Sequence, residues 1–246
     1  MKKRIDQILV DNGLVESKTK AQALVMAGQV FVDGDMVSKS GSKLDENAEI
    51  SVRELFPYVS RGALKLEKAF HEFNLDFTGK TVCDIGSSTG GFTDFALQNG
   101  AKKVFAIDVG TGQLAQKIRE DSRVIVMEKT DFRDVSLLEP VDMFVCDVSF
   151  ISLKKIVPKI VEIIKTSKFK AQKSTNVILL IKPQFEAGIK EVSKGKGVIR
   201  DDVLRREIVE DIQNFAIQAG FMIAGVVESP ITGAKGNVEY LLYLVI

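Results

Sequence analysis

The chain has 246 residues, of which 45% are hydrophobic, so it is longer than one average domain and can bury a sizeable core. Its 34 basic and 33 acidic side chains leave a formal net charge of +1, which excludes a global field that attracts polyanions; a nucleic-acid surface must therefore be local. The N-terminus lacks the apolar segment of a signal peptide and no run of roughly 18 apolar residues occurs, which predicts a cytoplasmic protein that does not span a membrane.

The first 52 residues are predicted to form a small α+β domain. Apolar residues at helical spacing indicate two short helices, which end at Gly13 and Gly28. Two strand patterns follow, and between them lies Asp33-Gly34, a pair that favours the positive φ angles of a type I′ hairpin turn. A further strand at residues 50–52 closes the domain.

The helix-helix-strand-strand order of residues 1–52 resembles the alpha-L motif, a small RNA-binding domain first seen in a ribosomal small-subunit protein. The matching residues are Arg4, Asp6, Leu9, Ser17, Lys18, Ala21, Gly28, Val30, Val32 and Gly34. The resemblance implies that RNA phosphates are contacted by Arg4, Lys18, Lys20 and Gln22. Residues 1–60 contain eight basic and nine acidic side chains, so this interpretation depends on the pattern and not on charge. For the two lysines, a solvated helix face is the alternative.

Residues 53–59 are predicted to be a linker, because Pro57 lacks an amide donor and biases Phe56 towards extended backbone. Residues 60–246 then alternate between strand and helix patterns, which predicts one doubly wound α/β domain. Strands are expected near 81–85, 104–108, 124–127, 142–147 and 176–182, and helices near 61–73, 92–98, 112–119, 152–165 and 201–219.

The end of the chain departs from this alternation. Residues 222–228 and 238–246 predict two strands joined by a hairpin-like connection, which would add an antiparallel strand to a parallel sheet. That arrangement is the usual plan of Rossmann-like methyltransferases. Cys83 and Cys146 each end an apolar run, and we interpret them as reduced packing residues. No Cys and His cluster has the spacing of a zinc site, so no metal is predicted.

A glycine-rich turn, with the sequence Asp-Ile-Gly-Ser-Ser-Thr-Gly-Gly-Phe-Thr from Asp84 to Thr93, joins a strand to a helix. Glycines at such a turn let backbone N–H groups approach a ligand closely. The spacing differs from the G-x-G-x-x-G of dinucleotide enzymes, and an acidic residue at its mouth suits the sulfonium and ammonium groups of S-adenosylmethionine. Asp108 ends the next apolar strand, where a carboxylate can accept from ribose hydroxyls. The alternative is a turn that serves only helix-to-strand packing.

Four charged residues lie where an α/β sheet needs no charge for its stability: Lys65, Asp147, Lys182 and Glu239. Asp147 and Lys182 follow apolar strands, at the edge where open α/β sheets bind ligands. A lysine can act as a base near neutral pH only if its pKa falls from about 10.4 to near 7, at a cost of roughly 4 kcal/mol. Lys65 as a second cation, with the apolar strand before Lys182, would favour that fall, whereas the two carboxylates would orient the lysines and partly oppose it.

A base of this kind is needed for a weakly acidic nucleophile such as a ribose hydroxyl, whose proton must leave as the methyl group is transferred in line. A nucleobase nitrogen would not require it. The four charges together therefore favour transfer to a ribose oxygen. For each of them taken alone, a surface position at a strand end is the alternative.

Six motifs together resemble the TlyA family, historically labelled hemolysin A, whose members join the small RNA-binding domain to an FtsJ-like ribosomal RNA 2′-O-methyltransferase domain. The motifs are Val59-Ser-Arg-Gly-Ala-Leu-Lys-Leu66, the glycine-rich turn, Asp108-Val-Gly110, Asp147-Val-Ser-Phe-Ile-Ser-Leu153, Ile181-Lys-Pro-Gln-Phe-Glu-Ala-Gly188 and Gly236-Asn-Val-Glu239. The resemblance implies a catalytic set of Lys65, Asp147, Lys182 and Glu239, with Lys182 as the general base. It implies S-adenosylmethionine contacts at Asp84, Gly86, Ser87, Ser88, Gly90, Gly91, Phe92, Asp108 and Asp131, and an RNA contact at Arg61.

The implied partner is ribosomal RNA or a ribosomal subunit. Two alternatives belong to other functional classes. One is a non-catalytic RNA-binding or ribosome-assembly factor that retains the cofactor fold. The other is a membrane-active hemolysin, against which the lack of a spanning segment or secretion signal argues. The sequence leaves open the methylated nucleotide, the choice between naked RNA and an assembled subunit, and the oligomeric state.

Overall fold

A computed structural model describes residues 2–26, 28–45, 48–52, 56–137, 139–166 and 174–246 of the chain. These residues belong to two compact units, Met1–Pro57 and Tyr58–Ile246. The boundary between the units lies inside the predicted linker 53–59, of which residues 53–55 fall outside the described part. Each unit has a hydrophobic core of its own.

The described residues of the smaller unit form two helices and two small antiparallel sheets. Its elements are β1 (Lys2–Arg4), α1 (Ile5–Asp11), α2 (Lys18–Met26), β2 (Val30–Val32), β3 (Asp35–Met36), β4 (Lys43–Asp45) and β5 (Ile50–Val52). One sheet has the order β3-β2-β5, and the other pairs β1 with β4. The apolar faces of both helices and of β2 form the core, which includes Ile5, Leu9, Val25 and Val30.

The turn chemistry of this unit agrees with its sequence. Asp33 and Gly34 have φ angles of +51° and +91°, as the type I′ turn requires. Gly13 and Gly28, the predicted helix ends, also have positive φ angles, +67° and +71°. The β1–β4 pair had no sequence signal, because neither strand shows an apolar alternation.

The strands described in the larger unit form one seven-stranded sheet. The elements of this unit are α3 (Ala63–Phe73), β6 (Thr81–Ile85), α4 (Gly91–Gln98), β7 (Lys103–Ile107), α5 (Gln116–Arg119), β8 (Val124–Met127), β9 (Met143–Cys146), α6 (Val157–Thr166), β10 (Asn176–Ile181), α7 (Pro183–Glu186), α8 (Ile189–Lys194), α9 (Asp202–Gln218), β11 (Met222–Glu228) and β12 (Tyr240–Val245). The strand order is β11-β12-β10-β9-β6-β7-β8. Strands β6 to β10 are parallel to their neighbours in this group, and β12 runs antiparallel to both β10 and β11. The predicted Rossmann-like sheet with an antiparallel C-terminal strand is confirmed.

The sheet lies between apolar clusters on its two faces. Strands β6 and β10 are buried along almost their whole length, as their continuous apolar runs predict for central parallel strands. Cys83 on β6 and Cys146 on β9 are buried free thiols, and burial raises the pKa of both, which agrees with a packing role. The strand order reverses between β6 and β9, so their carboxyl ends flank the point where open α/β sheets bind ligands.

Two helices begin later than their sequence patterns indicate. α5 begins at Gln116 and not near residue 112, because Gly112 has a φ of +67° and turns the backbone. α6 begins at Val157, since residues 153–155 form a separate 3-10 turn capped by the Ser152 side chain. The short helix α7 had no periodic signal, but Pro183 at its first position favours a helix start.

Candidate active site

Gly86 brings the loop after β6 against the end of β9. Its φ is +82°, which residues with a Cβ rarely adopt. A Cβ here would lie 2.8 Å from the carbonyl oxygen of Asp147, so only glycine permits this contact. The backbone N–H groups of Gly86 and Ser87 both donate to the carbonyl of Ile107, at 2.9 and 3.1 Å. The glycine-rich loop is therefore fixed against the ends of β7 and β9.

A cavity of 530 Å³ opens at the carboxyl ends of β6, β7 and β9. Ile107, Phe132 and Ile151 form part of its apolar wall. Asp108 lies in the same cavity and accepts hydrogen bonds from the backbone N–H groups of Ser88, at 2.8 Å, and Gly110, at 2.7 Å. An apolar cleft with a few fixed polar groups is the usual form of a small-molecule site. We call this space the larger cavity.

A second space of 290 Å³, the smaller cavity, adjoins the first, and Gly86, Ser88 and Asp147 line both. Asp84 lies at its wall, 1% exposed, and accepts a hydrogen bond from the Thr93 hydroxyl at 2.6 Å. Its other oxygen, Oδ1, is buried and has no hydrogen-bond partner among the described residues. Burial raises the pKa of Asp84 to about 7, although the bond from Thr93 acts in the opposite direction.

The other predicted cofactor residues differ in their position: some line a cavity, and one has a packing role. Ser87, Gly91 and Phe92 line the smaller cavity. Gly90, with φ +91°, turns the chain into α4, and a Cβ there would lie 2.9 Å from the Leu114 side chain. The structure thus gives Gly90 a packing role. Asp131 lines the larger cavity, but the Arg133 guanidinium donates to its carboxylate and lowers its pKa to about 2.

The four charged side chains that the sequence singled out meet at the smaller cavity. Lys65 Nζ donates to Glu239 Oε2 at 2.8 Å and to Asp147 Oδ2 at 3.2 Å. Lys182 Nζ lies 2.6 Å from Asp147 Oδ1. An unbroken chain therefore runs from Glu239 through Lys65 and Asp147 to Lys182. Its members come from α3, the ends of β9 and β10, and the residue before β12. Their catalytic roles stay a prediction.

Three members of this charged chain are almost sealed from solvent, whereas the Asp147 side chain is 20% exposed. Lys65 and Lys182 are each 7% exposed and Glu239 is 2% exposed. Two ammonium groups face two carboxylates, so the formal charges balance. Burial acts to lower the pKa of Lys65, but Asp147 and Glu239 more than offset it, and the pKa is raised. Lys65 is therefore held as a cation, while Asp147 divides its two oxygens between the lysines.

Two polar side chains of this site were not identified as site residues from the sequence. Ser149 accepts a hydrogen bond from Lys182 Nζ at 2.8 Å. Gln184, which is buried, donates through Nε2 to Glu239 Oε1 at 3.3 Å. Each lies two residues from a predicted catalytic position, and proximity to strand ends was the one signal that could have found them.

Besides Phe92, two aromatic rings that are in contact with each other border the smaller cavity. Phe150 is 90% exposed and has a φ of +64°, a left-handed conformation that is unusual for a bulky residue. Its ring centroid lies 5.0 Å from that of Phe185. The Phe185 ring in turn lies 5.7 Å from Lys182 Nζ. The exposed Phe150 ring thus lies at the mouth of the site, and the Phe185 ring separates it from Lys182, the predicted base.

Glu186 connects α7 to the loop that carries Phe150. Its Oε1 accepts from the backbone N–H of Leu153 at 2.8 Å, and its Oε2 accepts from the Ser152 hydroxyl at 2.5 Å. Burial raises the pKa of Glu186, although these two bonds oppose the change. The loop between Asp147 and Leu153 is therefore anchored at both ends, by the sheet and by α7.

Two of the predicted RNA contacts in the smaller unit bind a buried carboxylate. Arg4 donates to Asp6 through Nε at 3.0 Å and Nη2 at 2.8 Å, and Gln22 Nε2 donates to the same group at 2.9 Å. Asp6 is fully buried, and the bond from Arg4 lowers its pKa. The Arg4 side chain is still 47% exposed. Part of this guanidinium side chain therefore stays open to solvent, whereas the amide of Gln22 is engaged by Asp6.

The remaining predicted RNA contacts are exposed cations. Lys18 Nζ donates to Gln7 at 3.4 Å, and Lys20 Nζ lies 3.5 Å from Glu16. Both contacts are long and solvent-exposed, so they hold the ammonium groups weakly. In the larger unit, Arg61 is exposed in the segment whose neighbours Ser60 and Gly62 line the smaller cavity.

Across the described residues, no group of three or more His, Cys, Asp or Glu side chains is arranged to hold a metal ion. None of the helices in that part of the chain combines the length and apolar character needed to cross a bilayer.

Known proteins resemble this chain over nearly its whole length. The FtsJ-like methyltransferase model matches residues 58–245, and the S4 domain model matches residues 3–50. Hemolysin A of Brachyspira hyodysenteriae is 44% identical, over 99% of this chain and 100% of that protein. The 16S/23S rRNA (cytidine-2′-O)-methyltransferase TlyA of Mycobacterium tuberculosis strain H37Rv is 39% identical, over 98% of this chain and 89% of that protein.

Solved structures agree with these matches. A candidate hemolysin of Streptococcus thermophilus is 41% identical with a TM-score of 0.72, over 99% of this chain and 88% of that one. A SAM-dependent methyltransferase of Aquifex aeolicus, 20% identical with a TM-score of 0.51 over 76% of this chain and 94% of that one, shares the fold. The chain belongs to the FtsJ-like methyltransferase family and, with its N-terminal S4 domain, to the TlyA (hemolysin A) group of that family.

Proposed function

We propose that this protein transfers a methyl group from S-adenosylmethionine to a ribose 2′-hydroxyl of ribosomal RNA, with Lys182 as the general base. One observation carries the proposal: Lys182 ends a hydrogen-bonded chain of buried charges beside the border of two cavities. Asp147, its partner, lines both cavities. A base in this position can reach a nucleotide in the smaller cavity next to a cofactor that extends from the larger one.

The larger cavity fits the adenosine part of S-adenosylmethionine. Its apolar wall, which includes Phe132, suits an adenine ring. Each Asp108 oxygen accepts one backbone N–H and keeps a lone pair for a ribose hydroxyl. Asp84 suits the methionine end of the cofactor, which carries an ammonium group. Its buried Oδ1 has no hydrogen-bond partner in the described part of the chain. A cation next to this oxygen would stabilise the ionised carboxylate. The bound cofactor supplies an electrophilic methyl group on a sulfonium.

Lys182 is oriented by its neighbours. Its Nζ is held by Asp147 Oδ1 and Ser149 Oγ, with the Phe185 ring on another side. Lys65, held as a cation, takes the other oxygen of Asp147, so this carboxylate is shared and does not serve Lys182 alone. In its neutral form, Lys182 accepts the 2′-hydroxyl proton while the new C–O bond forms.

The exposed Phe150 ring supports a nucleic-acid substrate. Stacking of a base on an aromatic side chain contributes about 1–3 kcal/mol, and Phe150 presents its ring at the mouth of the smaller cavity. The S4 domain and the rRNA 2′-O-methyltransferase relatives support ribosomal RNA, naked or in a subunit, as the target. Such a substrate places the protein in the cytoplasm.

The first experiment measures tritium transfer from labelled S-adenosylmethionine to ribosomal RNA. Lys182→Ala is expected to lower the rate by about 10²–10⁴-fold, the usual contribution of a general base, while RNA binding is retained. Lys102→Ala, which removes an exposed lysine of the same unit, is the matched control and should leave the rate unchanged. An unchanged rate in Lys182→Ala rejects the base assignment.

A second experiment maps ribose methylation across ribosomal RNA in cells with and without this protein. The loss of a specific 2′-O-methyl group in cells that lack the protein is the expected result. Identical maps, together with RNA binding by the purified protein, would favour the non-catalytic assembly factor. Liposome leakage caused by the purified protein would instead revive the membrane-active alternative.

A further inference from the structure

Asn237 ties two loops of the larger unit together. It is 2% exposed, and all its side-chain hydrogen-bonding groups are used. Its Oδ1 accepts from the backbone N–H of Ile199 at 3.1 Å, and its Nδ2 donates to the carbonyl groups of Gly197 and Ala234 at 2.9 and 3.0 Å. The loop that contains Gly197 is thus fixed to the loop that contains Ala234.

The second of these loops is part of the candidate active site. Gly233 and Ala234 line the smaller cavity. A Cβ at Gly233 would overlap the Glu239 carboxylate, so the backbone of this loop lies directly against a member of the charged chain. The site therefore sets the position of the Ala234 loop, and through Asn237 it also sets the position of the Gly197 loop.

Two lysines project from these joined loops. Lys196 and Lys235 are exposed, and both have left-handed backbone conformations, with φ +52° and +58°. The Lys235 side chain crosses Gly197, since its Nζ lies 3.3 Å from the position of a Cβ there. Within the described ranges neither lysine side chain has an ion-pair partner, whereas the nearby Lys194 pairs with Glu191 at 2.6 Å.

This arrangement has the features of an anion site. Two ammonium groups for which the described part of the chain offers no carboxylate partner lie on loops that Asn237 joins, so an anion can pair with them without displacing an existing partner. Left-handed backbone at residues other than glycine is concentrated at functional sites, where the surrounding structure holds it. Because the whole chain has a net charge of only +1, the positive charge at this position is a local feature.

We propose that Lys196 and Lys235 form a phosphate-binding rim, which holds the RNA backbone next to the nucleotide in the smaller cavity. The proposal rests on the proposed function, because it assigns the rim to the phosphodiester groups that flank the reacting ribose. Phosphate contacts of this kind position a nucleic acid without reading its sequence. The rim therefore fixes where the RNA backbone lies and leaves the choice of base to other groups.

The test uses the full chain and a fluorescein-labelled single-stranded RNA oligonucleotide, with binding measured over a series of KCl concentrations. The variant carries Lys196→Ala together with Lys235→Ala. The control carries Lys68→Ala with Lys103→Ala, which removes the same charge from lysines that are paired with Glu72 and Glu139. The slope of log affinity against log salt is expected to fall by about 0.7 for each rim lysine removed. The control should keep the wild-type slope, as should the variant with arginine at both rim positions.

With ribosomal RNA as substrate, the rim variant should raise KM for RNA and leave kcat and cofactor affinity unchanged. A wild-type salt slope in the rim variant overturns the proposal. The two proposals fail separately. If the rim variant has a reduced salt slope but the wild-type protein transfers no methyl groups, the rim is supported and the proposed function is refuted. If the wild-type protein transfers methyl groups but the rim variant keeps the wild-type slope, the proposed function is supported and the rim is refuted.

Discussion

Asp84 is expected to make the stability of the larger unit depend on pH. Burial raises its pKa from the ordinary 3.8 to about 7, despite the opposing hydrogen bond from Thr93. Between these two values the folded chain holds a proton that the unfolded chain has released. By proton linkage, Asp84 therefore favours the folded state fully below about pH 4, and this contribution is lost as the pH rises through about 7.

The size of the effect follows from the two pKa values. A difference of about 3 corresponds to roughly 4 kcal/mol in total, of which roughly 2–3 kcal/mol falls between pH 5 and pH 8. Asp84→Asn keeps the size of the side chain and an oxygen for the Thr93 hydroxyl, but it cannot ionise. At pH 8 we expect the free energy of unfolding of this variant to exceed that of the wild type. This difference between variant and wild type should be smaller at pH 5, by roughly 2–3 kcal/mol.

Urea unfolding of the cofactor-free chain at pH 5, 6, 7 and 8 measures this margin, provided that the transition of the larger unit is followed. Asp134→Asn, which changes an exposed aspartate of the same unit, is the control and should give a margin independent of pH. The same Asp84→Asn protein should bind S-adenosylmethionine more weakly. A margin at Asp84→Asn that stays constant from pH 5 to pH 8 would refute the reasoning.

Three further substitutions test the contacts of the site. Glu239→Gln leaves Lys65 with one carboxylate. We therefore expect the free energy of unfolding to fall by about 3 kcal/mol and the rate of tritium transfer to fall by at least ~10²-fold. A wild-type rate of transfer would show that Glu239 has no role in the reaction. Glu186→Ala releases the loop that carries Phe150 and should lower kcat. Glu186→Gln can still form a hydrogen bond with Ser152 and should keep kcat near the wild-type value. Equal kcat values for the two variants would contradict an anchoring role. Phe150→Ala should raise KM for ribosomal RNA by a factor that corresponds to about 1–3 kcal/mol, and Phe150→Tyr should not; identical KM values for the two variants would argue against stacking.

The meeting of three charged residues could be predicted because strand direction determines which strand ends lie together. Asp147 and Lys182 follow the parallel strands β9 and β10, so they lie at the same edge of the sheet. Glu239 precedes β12, which is antiparallel to β10, and its start therefore lies where β10 ends. Apolar run length and strand order were enough for this inference. Lys65 was proposed as a second cation from its place on a predicted helix, but strand direction could not position it, since a helix pattern does not identify the strand that the helix covers.

Side-chain partners could not be predicted, because they depend on backbone paths that local patterns do not determine. Ser149 and Gln184 look like ordinary loop polar residues, and the structure alone places them on Lys182 and Glu239. The left-handed backbone at Phe150 also has no sequence signal, since glycine or asparagine is the usual residue there.

In the smaller unit, too, turn positions could be predicted from the sequence, but side-chain partners could not. Its turn glycines and its hairpin pair have conformational preferences of their own, so their positions could be predicted. Arg4 and Asp6 are only two positions apart, but the bond from Gln22 to Asp6 arises when the two helices pack, which brings residues 16 positions apart into hydrogen-bond contact. A basic residue in an RNA-binding pattern can therefore serve the protein interior as well as a phosphate.

Helix α7 and the residue before it carry out three tasks within five positions. Lys182 precedes its first residue and ends the charged chain, Phe185 supports the exposed ring, and Glu186 anchors the neighbouring loop. Each residue of a helix is rotated by about 100° from the one before, so an insertion or deletion of one residue between Lys182 and Glu186 would turn the ring and the carboxylate away from their partners. Over evolutionary time, this stretch should therefore keep its length.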